Sequence, residues 1–285
     1  MISIKKDFAS IPGLLASPLR NKLILESLVA KNKHAFDSKV YRDATLSALD
    51  DLYKSKCAYC ETDTSAGAPM QVEHYRPKAK VTDDLSHSGY YWIAYEWSNL
   101  ILSCSKCNNK KRNKFPVLGK RVTHPLLGLD GFPSLESVIA NSTSFMQEQA
   151  LIIHPEIDKV EDHFIFNEMG EIVGRTDRAI VTIQICNLNR KELIFKRLAI
   201  LKGFTNDIKE ILAKFLSKEI THDQCRYAIK LVFSKIAGVQ SPENQYSRFG
   251  FFLFNKFDLF VASALEGKQR EAIRILFTQF IEGTL

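Results

Sequence analysis

Apolar positions recur at helical spacing over the last third of the chain. Leu201, Phe204, Ile208, Ile211 and Phe215 step by three or four, as do Cys225, Ile229, Val232 and Ile236, then Ile273, Leu276, Phe277 and Phe280. Each stripe predicts a helix with one buried face. Near the start, Leu23, Leu28, Leu46, Leu49 and Leu52 predict helices up to about Lys56, after an irregular beginning marked by Pro12-Gly13 and Pro18. The segment Tyr90 to Trp97 alternates only weakly; its rings read as packing rather than as a stacking platform for bases. Pro125, Gly128, Gly131 and Pro133 break the pattern between Gly119 and Pro155, which reads as an irregular connector. A hairpin is expected from His163 to Arg175. The aromatic run from Phe249 to Leu265 is interrupted by Asn255, Lys256 and Asp258 and does not read as a membrane span.

These patterns predict an α+β chain that is mainly helical, in four parts. Residues 1–56 are an N-terminal helical region, 57–118 a compact module, 119–175 a connector and hairpin, and 176–285 a helical region without a motif of its own. No internal repeat or low-complexity tract is present. The 285 residues suffice for one large or two ordinary domains. A net charge of +7 is compatible with nucleic acid but modest, so substrate would be held by a local patch or with a partner's help. Met1 to Lys6 has no apolar core for export, and reduced cysteines fit a cytoplasmic location.

Chemistry concentrates in the second part. Cys57-Ala58-Tyr59-Cys60 and Cys104-Ser105-Lys106-Cys107 are two Cys-x-x-Cys pairs separated by 43 residues. Together Cys57, Cys60, Cys104 and Cys107 offer four thiolates for one tetrahedral zinc, although the gap is longer than in a compact zinc ribbon and must hold folded chain. Cys186 and Cys225 lack a partner at ligand spacing and read as small buried apolar residues.

The gap contains Val72-Glu73-His74-Tyr75-Arg76-Pro77-Lys78 and Ala94-Tyr95-Glu96-Trp97-Ser98-Asn99-Leu100, and Cys107 is followed by Asn108 and a basic run. In the order of an acidic residue and His, then Asn-Leu, then Cys-x-x-Cys-Asn, the chain resembles the HNH endonuclease superfamily with its ββα-metal site. With Cys-Ala-Tyr-Cys-Glu and Lys-Phe-Pro-Val added, it looks like the HNH subfamily that serves as nuclease component of Septu-type and retron-linked anti-phage defence systems. That subfamily is usually paired with an ATPase, so the resemblance implies an ATPase subunit as partner. It continues through His154-Pro155-Glu156 and Leu188-Asn189-Arg190-Lys191-Glu192-Leu193, covering roughly the first two hundred residues.

Hydrolysis of a phosphodiester needs an activated water, neutralised phosphoryl oxygens and a stabilised leaving alkoxide. His74 is the candidate base, because an imidazole of pKa about 6.5 is largely neutral at cellular pH. Glu73 and Asn108 offer oxygen donors, which suit magnesium or manganese better than the thiolates that hold zinc. By resemblance, Glu73 and Asn108 bind the catalytic cation and Asn99 orients the base by hydrogen-bonding backbone across a hairpin. The family often has Asp in place of Glu73, and some members have His in place of Asn108; both keep a metal-binding atom. Arg76 offers a planar fork matched to the scissile phosphate. Lys110, Lys111, Arg112 and Lys114 are expected on a short helix gripping the nucleic-acid backbone. DNA stands ahead of RNA as substrate, and a zinc-stapled binding module without catalysis is the alternative in which the His and the oxygen ligands have no task.

Overall fold

The computed structural model describes residues 1–13 and 15–285, and the chain divides into two compact units. The first comprises Met1–Phe164 with Gly174–Leu188, the second Ile165–Val173 with Asn189–Leu285. The architecture is α+β and mainly helical, as the patterning predicts.

In the first unit, α1 (Pro18–Ala30) begins at Ser17, whose hydroxyl accepts from the Arg20 N–H at 3.2 Å, with Pro18 in the first turn where its missing N–H is harmless. Its buried positions are Leu23, Ile24 and Ser27. A π-helical turn (Lys39–Asp43) leads to α2 (Leu46–Tyr53), which lies against the central hairpin. That hairpin pairs β1 (Gln71–His74) antiparallel with β2 (Leu100–Ser103), in the register Gln71 with Ser103, Val72 with Leu102, Glu73 with Ile101 and His74 with Leu100. Helix α3 (Ser105–Lys111) follows at once, completing a ββα arrangement.

Tyr90 to Trp97 coils in short turns between the strands, and Tyr90, Tyr91, Trp92, Tyr95 and Trp97 are all buried, the packing role expected of them. The irregular connector carries two short helices, α4 (Leu135–Val138) and α5 (Thr143–Gln147). It returns to the module through backbone bonds from Gly119 N–H to Glu148 O (2.9 Å) and Leu151 N–H to Pro116 O (2.9 Å). A side chain at Gly119 would meet the Gln147 carbonyl oxygen at 2.0 Å, so this close approach requires glycine. The expected hairpin forms as β3 (Phe164–Phe166) and β4 (Ile172–Gly174), and α6 (Asp177–Cys186) packs on α3 with Cys186 buried.

The second unit is built from α7 (Lys191–Leu216), α8 (His222–Val239), α9 (Ser247–Asn255), α10 (Phe257–Phe260) and α11 (Gly267–Ile281). Helix α8 starts with a reciprocal cap in which Thr221 and Gln224 each bond the other's backbone N–H. Its buried stripe includes Cys225, Ile229, Val232 and Ile236, as expected. In α7 the stripe is rotated from the expected one: Leu193, Arg197, Leu201, Thr205, Ile208 and Leu212 are buried, while Phe215 is exposed. Two polar residues, Arg197 and Thr205, occupy the buried seam. The Arg197 guanidinium lies 5.0 Å from the Phe166 ring centre and donates to the Gly170 carbonyl at 3.1 Å, so it packs like an apolar group. Phe257 and Phe277 stack with ring centres 3.7 Å apart in the core. Among the described residues no helix is long and apolar enough to cross a membrane.

Candidate active site

The four cysteines converge at one end of the ββα hairpin. Their sulfurs lie within 4.8 Å of one another, and Cys60 Sγ is 3.7 Å from Cys104 Sγ. A tetrahedral site with Zn–S bonds of about 2.3 Å sets its sulfurs roughly 3.8 Å apart, so donor chemistry and spacing both fit zinc. The first knuckle is tied to the sheet by Ala58 N–H donating to Leu102 O at 2.8 Å, and the second opens α3 with Cys104 in extended conformation at its cap. Burial pushes the Cys57 thiol well up, and neighbouring sulfurs push Cys107 well up. Four thiolates crowded in a buried space call for a divalent cation to balance them. The cluster has the character of a structural zinc site.

Strand and helix periods explain the face between β1 and α3. Gln71 and Glu73 are two apart on β1 and share a face; they meet Asn108 and Lys111, three apart on α3. Asn108 Nδ2 donates to Gln71 Oε1 at 2.8 Å, which leaves the amide oxygen for another partner. Lys111 Nζ donates to Glu73 Oε1 at 2.7 Å and to the His74 carbonyl at 3.0 Å. Burial raises the Glu73 carboxyl above its ordinary pKa, and the Lys111 charge opposes that rise. Oxygen donors from Glu73 and Asn108 fit a hard divalent cation, which would bind next to the Lys111 ammonium.

His74 is buried, with Nε2 2.8 Å from the Ala94 carbonyl oxygen. A carbonyl only accepts, so Nε2 carries the proton and Nδ1 keeps its lone pair. Burial first, then the charges of Lys78 and Lys111, hold the imidazole well below its usual pKa and hence neutral. The Tyr41 ring meets the imidazole in a T-shaped contact, 4.7 Å between centres. Behind the imidazole, Asn99 Oδ1 accepts from the Arg76 N–H at 2.8 Å and Nδ2 donates to the Arg76 carbonyl at 3.1 Å. Asn99 therefore fixes the backbone two residues beyond His74.

Two cations have other positions than expected. Arg76 is buried, with Nε 2.9 Å from Glu148 Oε2, Nη2 donating to the Phe145 carbonyl at 3.1 Å and the guanidinium 4.0 Å from the Phe145 ring centre. Only Nε pairs with Glu148, and Nη1 is buried without a hydrogen-bond partner; Glu148 also accepts from Tyr90 Oη at 2.7 Å and the Val122 N–H at 2.9 Å. A phosphate contact would forfeit a buried ion pair, and in this structure Arg76 holds the connector against the hairpin. Lys111 is fully buried on Glu73 rather than presented to a nucleic-acid backbone. Lys110 and Arg112 are exposed and Lys114 is half-buried beyond the end of α3. Sequence reasoning missed Glu148, Tyr41 and Lys78. Only Lys78 had a signal, its place in the same motif as His74.

Comparison with known proteins defines the class first: residues 57–114 match the family model described as HNH endonuclease. The chain carries an HNH module on this stretch. It is also similar to Septu proteins. The Septu protein PtuB of Bacillus mycoides (strain KBAB4) is 28% identical over 216 residues, 71% of this chain and 68% of PtuB. The Septu protein PtuA of the same strain is 28% identical over 158 residues, 54% of this chain but 20% of PtuA. The Septu protein PtuB of Bacillus thuringiensis is 32% identical over 83 residues, 27% of this chain and 29% of that protein. The chain thus spans about two thirds of one of these relatives and under a third of the other two. The resemblance seen in the sequence, HNH and Septu-like, is borne out.

Proposed function

We propose that this chain is a metal-dependent HNH endonuclease that hydrolyses phosphodiester bonds in DNA, as the effector nuclease of a defence complex with an ATPase subunit. The observation that carries the reading is the His74 imidazole fixed through Nε2 on the Ala94 carbonyl, on the strand that also carries Glu73 and meets Asn108 of α3 through Gln71. A structural site or a passive binder has no need of this pairing.

His74 Nδ1 takes a proton from a water as the water oxygen bonds to phosphorus. The phosphorus–oxygen bond to the leaving sugar oxygen then breaks, and that oxygen takes a proton from solvent. Glu73 and Asn108 would hold magnesium or manganese, which supplies charge neutralisation at the phosphoryl oxygens and leaving alkoxide. Asn99 keeps the His74 loop in place through the Arg76 backbone. Lys110, Arg112 and Lys114 track the flanking phosphates.

Support for a defence role and a partner comes from similarity to Septu proteins of two kinds, PtuB and PtuA, in one strain. The helical second unit exposes Phe195, Leu216 and Tyr227, large apolar side chains available for docking the ATPase. A cytoplasmic location goes with reduced, zinc-bound thiols.

Purified protein, with and without the product of the neighbouring gene, should be incubated with plasmid DNA and total RNA in magnesium or manganese. Plasmid nicking abolished by His74→Ala is the expected result. Cleavage of RNA alone would replace the substrate, and equal cleavage by His74→Ala and wild type would leave only the binding-module reading.

A further inference from the structure

With Arg76 Nε paired to Glu148 and Lys111 to Glu73, the site as expected from sequence lacks a side-chain cation for the reacting phosphate. A nearby side chain is suited to the task. Lys78 lies four residues after His74 in the same segment, and its charge acts on both Glu73 and His74. Its ammonium donates to the Tyr41 hydroxyl at 2.9 Å and sits 4.3 Å from the centre of the Tyr41 ring. Phe36 forms a second wall at 5.7 Å. Among the described residues no carboxylate forms an ion pair with it.

Tyr41 joins this cation to the base. Its hydroxyl accepts from Lys78 while its ring meets the His74 imidazole edge to face, 4.7 Å between centres. Tyr41 lies in the π-helical turn at Lys39–Asp43, a rare backbone form frequent at functional sites. A lysine held by a neutral phenol and aromatic faces keeps its full charge available, unlike one neutralised by a carboxylate. Its three rotatable N–H donors can swing from Tyr41 to an incoming oxyanion.

We propose that Lys78, steadied by Tyr41, contacts a non-bridging oxygen of the scissile phosphate and stabilises the charge that grows there as water attacks. The contact makes no covalent bond and the proton stays on Nζ. Lys78 is thus a catalytic residue and Tyr41 a positioning residue, an inference that rests on the endonuclease reading and names the phosphate site within it.

The test compares wild type, Lys78→Met, Lys78→Arg, Tyr41→Phe and His74→Ala on one plasmid or oligonucleotide substrate in manganese, after zinc content and melting temperature have been matched. Removing one preorganised charge donor costs about 10²-fold in kcat, so Lys78→Met should lose about that much with KM changed only a few-fold, Lys78→Arg should recover part, and Tyr41→Phe should lose less than Lys78→Met. Replacing one non-bridging oxygen at the cleaved bond by sulfur should slow wild type for one diastereomer, and Lys78→Met should lose part of that preference. The inference is overturned if Lys78→Met keeps kcat, whether or not KM rises, while His74→Ala is inactive. Absence of cleavage by wild type with every metal and partner arm overturns the endonuclease reading and this inference together.

Discussion

The two ends of the β1–β2 hairpin hold metal-binding chemistry of opposite kinds. At the cysteine end four soft donors enclose a space with no room for a substrate. Toward the histidine end the donors are oxygens, the Glu73 carboxylate and the Asn108 amide along the β1–α3 face, with the His74 imidazole at the end of β1 and cations that are already committed or waiting. A closed donor set fixes structure and an incomplete one leaves positions for water and substrate. The difference teaches that the same ββα frame separates holding the fold from doing chemistry, and damage at each end should show as a different kind of loss.

The largest expected effect is at the closed end. Binding of a structural zinc is folding free energy, on the order of 10 kcal/mol or more. Cys104→Ser should therefore give unfolded or aggregated protein, with metal analysis finding about one zinc per wild-type chain and none in the variant. A soluble, cooperatively melting Cys104→Ser protein without zinc would break the comparison at its first term.

Next comes the support behind the open end. Arg76→Ala leaves Glu148 as an uncompensated buried charge, and removing one partner of such a pair costs about 3–5 kcal/mol. Chemical denaturation should show that loss with zinc retained; a drop in cleavage at unchanged stability would instead return Arg76 to the phosphate. The open end itself should respond in rate alone. His74→Ala should fold, keep its zinc and bind nucleic acid, yet cleave about 10²-fold more slowly or worse. Glu73→Ala and Asn108→Ala should regain part of their cleavage when magnesium or manganese is raised, measured as a shift in the metal concentration giving half-maximal rate.

The smallest effect concerns the turn that presents Asn99. Lys6 Nζ donates to the Trp97 carbonyl at 2.8 Å and the Leu100 carbonyl at 2.6 Å and lies 3.3 Å from Glu156. Burial raises Glu156 from 4.5 to about 7 and lowers Lys6 to about 8. Since folded Glu156 holds its proton to higher pH than the unfolded chain does, the native state binds the extra proton between pH 4.5 and about 7. Over that window this group makes stability fall as pH rises. Melting of wild type relative to Glu156→Gln should decline across it, and a constant difference would show that Glu156 titrates normally.

What the sequence made legible were residues whose chemistry is local. Cysteine pairs need their spacing, and Glu73-His74 and Asn108 need to follow strand and helix starts, so the residues that meet in space were visible as motif. Charged residues were harder. Whether Arg76 faces phosphate or Glu148 depends on a contact between residues 72 positions apart, and Lys111 finds Glu73 across 38. Periodicity failed in α7 for a related reason, since Arg197 fills a seam position that a search for apolar residues passes over. Tyr41 reaches His74 from a separate segment and no local pattern announces it.

Glu148 also bears on inheritance. It accepts from Arg76, Tyr90 and Val122, and so binds the chain beyond residue 118 to the segment just after β1. The stretch recognisable as HNH, residues 57–114, is therefore shorter than the smallest piece that could be transplanted with its electrostatics intact. Recombination that moved only the motif into a new host protein would strand a buried guanidinium. Chimeras cut after the Glu148 anchor, rather than at the edge of the motif, are the ones this architecture permits.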